Sequence, residues 1–168
     1  MLHSSRWRAS AKRLIIDTDL FSDVEYVKFP SFALLSRFNK FWLEKSDIGA
    51  LLLAATSPSV DLLAVNVNFP SSYSAIAASS ILAYFGHPDI PISILRPLTN
   101  VTFFDSWFYD LGEYASKVAY HWPGGTLPWG RADDAWDPVS LYRKVLSESP
   151  DHSVTIASIG FLDNVILS

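Results

Sequence analysis

Residues 13 to 32 read RLIIDTDLFSDVEYVKFPSF, and the apolar run Leu14 to Ile16 delivers Asp17, Asp19 and Asp23 in quick succession. Asp17 and Asp19 stand two apart on what reads as a strand, so their carboxylates face the same way. Like charges so placed repel, and the pair makes most sense beside a cation. Two later runs end in the same chemistry: Asn66 and Asn68 close DLLAVNVN, and Asp163 and Asn164 follow VTIASIGFL. Together these are hard oxygen donors suited to calcium or magnesium. Taken singly, an Asp or Asn at a strand end is an ordinary turn residue or helix cap, and the Asp17–Asp19 pair is the one that resists that plainer account.

The elements that must position these residues follow from periodicity. Residues 13 to 18 predict a short buried strand, 48 to 56 (IGALLLAAT) a helix closed by Ser57-Pro58, and 61 to 68 a second buried strand. A helix over 71 to 85 stopped at Gly86 and a third strand over 90 to 95 come next. The β-α-β-α-β order predicts an α/β fold with a doubly wound, mostly parallel open sheet. In such sheets the ligand site lies outside the carboxyl ends of the strands, where Asp17, Asp19, Asn66 and Asn68 fall. Further on, an aromatic stretch over 102 to 120 reads as helical and HWPGGTLPWG as a loop. Asp137-Pro138 reads as an N-cap with proline at the first helical position, opening a helix to about residue 146. Residues 154 to 159 form a last strand, and a helix begins after Gly160.

Composition bounds the function. At 168 residues, 49% hydrophobic and 18% charged, the chain is sized for one globular domain. A net charge of -4 and a pI near 5.4 give nucleic acid no basic face to bind. The absence of cysteine excludes disulfides, zinc–thiolate sites, iron–sulfur clusters and thiol nucleophiles, so a bound metal would take oxygen or imidazole ligands. Residues 1 to 12 read as a disordered basic N-terminus, with Arg6, Arg8 and Lys12 and no acid. That bias also occurs in transit peptides, but the apolar core of a secretory signal is missing. No window reaches the roughly 18 to 20 apolar residues that span a bilayer, so a soluble chain is expected. Asn100-Val101-Thr102 is a formal glycosylation acceptor, informative only in a secreted chain.

One stretch does not fit. EYVKFPSFALLSRFNKFWLEKS, residues 25 to 46, is bulky and aromatic and lies between a strand end and the helix expected within a few residues of it. It is either a functional lid or foreign text.

The string IIDTD, an acid after it, and DIGALLLAATSPSVDLLAVNVN resemble the opening of the inosine–uridine-type nucleoside hydrolases. That family's signature is an Asp-x-Asp run, a short glycine-bearing turn and a paired Asp-Asp opening the first helix. VTIASIGFLDN is similar to its later strand and small-Gly-x-Leu-Thr-Asn turn, so the likeness covers residues 13 to 24 and 47 to 168. It implies a Rossmann-like nucleoside-hydrolase fold, incomplete at the C-terminus. The activity implied is calcium-dependent hydrolysis of the N-glycosidic bond of ribonucleosides. Carried over by residue, Asp19 is a calcium ligand and the general base, and Asp17 an acid supporting it from behind. Asp47 becomes a bidentate calcium ligand at the helix start, and Asp163 a ligand through its backbone carbonyl. Asn68 is the residue assigned to the ribose, with Ser71 competing for that position. The expected partners are a ribonucleoside and, in an oligomer, further copies of the chain, with neither nucleic acid nor a membrane among them.

The family's two adjacent acids are split here, since Ser46 precedes Asp47 and Glu25 lies across the odd segment. The genetic code offers a reason. Codons GAG-TAT-GT for Glu25, Tyr26 and the start of Val27 contain the intron donor GTATGT, and a Ser46 codon AGT or AGC begins with the acceptor AG. Removing the text between joins GA to T or C, an aspartate codon, and restores Asp-Asp47. A retained intron is therefore one reading of 25 to 46, and a native lid with a helix near residues 34 to 43 the other. On the first, residues 25 to 46 protrude or pack poorly, and the chain is a truncated or inactive form. His87 and His121 read as surface or packing residues, Trp107, Phe108 and Tyr109 as core aromatics or a base-stacking group, and Asp133 and Asp134 as a solvated loop. The rival enzyme is a haloacid-dehalogenase-like phosphatase, with Asp17 and Asp19 as nucleophile and acid, Ser158 imitating its second motif and Lys144 its lysine. Against it, Leu20-Phe21 stands where that pattern expects a small residue. A non-catalytic fragment is the third reading.

Overall fold

A computed structural model describes residues 11 to 20, 47 to 100 and 115 to 167. The readings made on the N-terminal tail, the 25 to 46 segment and Trp107 to Tyr109 lie outside them.

Four strands form one parallel sheet in the order β3-β2-β1-β4: β1 Lys12–Thr18, β2 Val60–Val67, β3 Ile92–Ile94 and β4 Val154–Ser158. The helices are α1 Asp47–Thr56, α2 Ser72–Tyr84, α3 Ala115–His121, α4 Pro138–Ser147 and α5 Asp163–Leu167. The doubly wound α/β fold expected from the sequence is thus the fold observed, Rossmann-like in its alternation of strand and helix. Each strand or helix expected within the described residues is present, with ends shifted by a residue or two. The third strand is shorter than 90 to 95, covering Ile92–Ile94, and Trp136 extends the sheet beyond it through a single bridge to Ser93. His121, expected in a loop, closes α3.

Alternation along the strands divides two cores. On one face Ile16, Val65, Val67, Ile92 and Ile94 pack against Leu51, Ala54 and Ala55 of α1 and Ala75, Ala78 and Leu82 of α2. Small residues fill the helical side, and α2 is buried nearly all round because α3 covers its far face. On the other face Ile15 and Ala64 meet Leu141, Tyr142 and Val145 of α4. The α4 start follows its sequence: Asp137 Oδ1 accepts from Ser140 N at 2.9 Å, and Pro138 takes the first helical position, where no amide is needed. Gly125 closes the loop onto α2, with φ +81° and the Ser79 carbonyl so near that a Cβ would lie 2.8 Å from it. Among the described residues no helix is long and apolar enough to cross a membrane.

Candidate functional site

Parallel register brings the polar strand ends into one row. Asp17 lies opposite Asn66 on one side and Ser158 on the other, and Asn66 lies opposite Ser93. All four residues therefore project to the α4 face. Asp17 is fully buried there. Its Oδ2 accepts a 2.8 Å hydrogen bond from the Tyr142 hydroxyl, and its Oδ1 accepts from Asn68 Nδ2. Burial pushes the Asp17 carboxyl above its ordinary 3.8; the bonds from Tyr142 and Asn68, and Asn164 beside it, act the other way. Burial likewise lifts the Tyr142 phenol, and the ionised Asp17 adds to the lift, so the hydroxyl remains the donor of the pair.

The turn after β1 is tied down from two sides. Asp47, the first residue of α1, is buried and uses Oδ2 to accept from the Thr18 hydroxyl, from Asp19 N at 3.1 Å and from Leu20 N at 3.4 Å. Leu20 carries φ +45°, a strained value for a branched residue, and is held by its buried side chain and by Ser74 Oγ, which donates to its carbonyl at 3.1 Å. The sequence expectation gave Asp47 to a cation; the contacts observed for it are with the turn that carries Asp19.

The segment after β4 closes the edge. Ile159 N donates to the Asp17 carbonyl at 2.8 Å, and Asn68 Nδ2 donates to the Phe161 carbonyl. A Cβ on Gly160 would run into Asp19 N and lie 2.7 Å from Asn68 Oδ1. Asp19, Asn68 and Gly160 are therefore in direct contact around one point. Asp163 opens α5 near enough to Asp17 to raise its carboxyl further, and Asn164 is fully buried.

The structure thus brings Asp17, Asp19, Asp47, Asn68 and Asp163 to the carboxyl edge of the sheet. Ser71, the competitor for the ribose position, is the N-cap of α2 and bridges to Thr99 through its backbone. Among the described residues no group of three or more His, Asp or Glu side chains is placed as a metal cluster. The donor chemistry nonetheless suits a hard cation. Asp19 and Asp47 supply carboxylates, and Asn68 Oδ1 is a buried oxygen that receives no hydrogen bond among the described residues. His87 is a packing residue, its Nε2 2.7 Å from the Ala55 carbonyl. Lys144 lies on the exposed side of α4, paired with Glu148 at 2.6 Å, and Asp133 and Asp134 are exposed and pair with Arg96 and Arg131.

Two members escaped the sequence reading. Tyr142 sits on the buried face of α4, and a buried tyrosine needs a partner for its hydroxyl, which was the available signal. Thr18 was hidden because its role depends on where α1 begins.

One consequence is a pH dependence. A carboxyl raised by folding binds its proton more tightly in the native state, so Asp17 makes stability fall as pH rises from about its ordinary 3.8 through its raised value and level off above it. Asp17→Asn keeps the shape, since its amide can donate to the Tyr142 oxygen while its carbonyl accepts from Asn68. In urea unfolding, the stability of Asp17→Asn relative to wild type is expected to grow across that window. A constant difference from acid to neutral pH would contradict the burial of an ionising group.

Comparison with known protein families and with curated proteins finds no match for the chain.

Proposed function

We propose that the carboxyl edge is the calcium and ribose site of an N-ribohydrolase acting on ribonucleosides, the activity implied by the resemblance. The observation that supports it is the meeting of Asp19, Asp47, Asn68 and the 160 to 163 segment at one edge of a parallel sheet. Asp19 and Asp47 would hold calcium with the carbonyl of Asp163. Calcium supplies Lewis acidity toward water and the sugar hydroxyls. Asp19 takes the proton of the attacking water, a general-base contribution of typically about 10² to 10⁴ in rate. Asp17 acts through Asn68: by accepting from Nδ2, together with the Phe161 carbonyl, it fixes the amide at the edge where the resemblance places the ribose contact. Water adds to the anomeric carbon as the bond to the base breaks.

The phosphatase alternative finds less support, because a phosphoryl acceptor must be accessible and the Asp17 carboxyl is buried with both oxygens engaged. A weakly active or non-catalytic form agrees with Ser46 in place of the first acid of the family's pair.

Ribose release from inosine and uridine, with and without a calcium chelator, is the test. The chain as it stands is expected to turn over negligibly. Replacing residues 25 to 46 by one aspartate, which sets an acid beside Asp47, is expected to raise release by at least about tenfold, since positioning of the substrate is worth several kcal/mol. Chelator-resistant release, or none in either form, would overturn the hydrolase reading.

A further inference from the structure

Tyr142 is the odd member of its core. It is buried on the α4 face with Ile15, Ala64, Leu141 and Val145, all of them aliphatic. Phenylalanine would fill the same space, so packing does not account for the hydroxyl. That hydroxyl donates to Asp17 Oδ2 at 2.8 Å, with Asn66 beside it. Asn66 is held from its far side, where Oδ1 accepts from Ser93 Oγ at 2.5 Å. On the other side of the carboxyl, Asp17 Oδ1 accepts from Asn68 Nδ2, which also donates to the Phe161 carbonyl. A line of polar groups thus runs beneath α4 from Ser93 on β3 to the segment that follows β4. Ser93, Asn66, Asp17 and Asn68 are all buried, and in such surroundings the loss of one member is felt by the next. A carboxyl turns easily about its last bond, and donors on both oxygens fix its plane. Without the Tyr142 hydroxyl it could swing toward Asn164, which lies beside it, and Asn68 would lose a fixed acceptor.

We propose that Tyr142 is a positioning residue for the carboxyl edge: its hydroxyl orients the Asp17 carboxyl, which holds the Asn68 amide and, through the Phe161 carbonyl, the segment that carries Asp163. The coupling from Tyr142 to Asn68 stands on these contacts alone, whereas its effect on a bound cation rests on the calcium site proposed above. Tyr142 reaches no substrate or metal itself; it acts through Asp17 from the opposite side of the carboxyl.

Hydrogen exchange of the Asn68 side-chain amide, followed by NMR in the full chain, tests this in wild type, Tyr142→Phe and Val145→Ala. The last variant removes volume from the same core and no polar atom, so it reports what a loss of packing alone does. In Tyr142→Phe the Asn68 protons should exchange at least about tenfold faster, while Val145→Ala leaves them within about twofold of wild type. A calcium titration of the same chains is the second readout, its midpoint rising at least about threefold in Tyr142→Phe and holding in Val145→Ala. The wild type alone supplies a third: the Tyr142 hydroxyl proton and both Asn68 side-chain protons should exchange slowly. Free exchange of those protons in the wild type, an Asn68 amide as protected in Tyr142→Phe as in wild type, equal loosening in Val145→Ala, or a calcium midpoint unmoved by Tyr142→Phe would each overturn the proposal. A wild type that gives no calcium response overturns the calcium reading instead, and faster Asn68 exchange in Tyr142→Phe would still support the coupling.

Discussion

Gly160→Ala is expected to destabilise the fold by about 3 kcal/mol, and Gly160→Val by more, because the new Cβ meets atoms that cannot give way. Its nearest neighbour would be the Asp19 amide nitrogen, which is backbone and already donates to Asp47. The next are the amide atoms of Asn68, held by Asp17 and the Phe161 carbonyl. Relief would require β4 to move off β1 at Ile159, breaking its bond to the Asp17 carbonyl. A control separates crowding from backbone conformation. Gly130 has φ +77° with no atom within 4 Å of its ideal Cβ, so Gly130→Ala should show only the conformational penalty, about 1 kcal/mol. Urea unfolding of the three variants checks this. Gly160→Ala within about 0.5 kcal/mol of wild type would mean that the edge is not closed as described.

The fold was legible because its signals are local. Buried strands ending in Asp17 and Asn68, a helix opened by Asp137-Pro138 and helices stopped near Pro58 and Gly86 are each written in consecutive residues, and together they specify a parallel sheet. The rule that ligands bind at the carboxyl edge then selected Asp17, Asp19 and Asn68 without knowledge of the contacts. The contacts themselves were not legible. That Asp17 lies under Tyr142, 125 residues away, depends on how α4 crosses the sheet. That Asp47 caps the 18 to 20 turn depends on the distance between α1 and β1, which the intervening text obscures. The Gly160 contact depends on register between strands far apart in sequence, and no short-range pattern encodes it.

The turn contacts of Asp47 shape what the site can do. With Oδ2 committed to Thr18, Asp19 and Leu20, Asp47 holds the Asp19 backbone in place, and in the proposed calcium site it would have its other oxygen for the cation. Asp19 is half-buried at the rim of the edge. Removing one carboxylate from so small a ligand set should weaken a calcium site by more than tenfold, since each contributes charge as well as coordination.

The most direct test of the central claim is a calcium titration followed through backbone amide signals. The account predicts shifts concentrated at Asp19, Leu20 and Gly160, half-saturating on the order of 1 mM, the weak range of sites with few carboxylates. In Asp19→Asn the same shifts should need at least about ten times more calcium, while Asp133→Asn, at an exposed residue outside the edge, should leave the titration unchanged. Absence of site-specific shifts up to about 50 mM calcium, or a titration of the same strength in Asp19→Asn, would contradict a calcium site at the carboxyl edge.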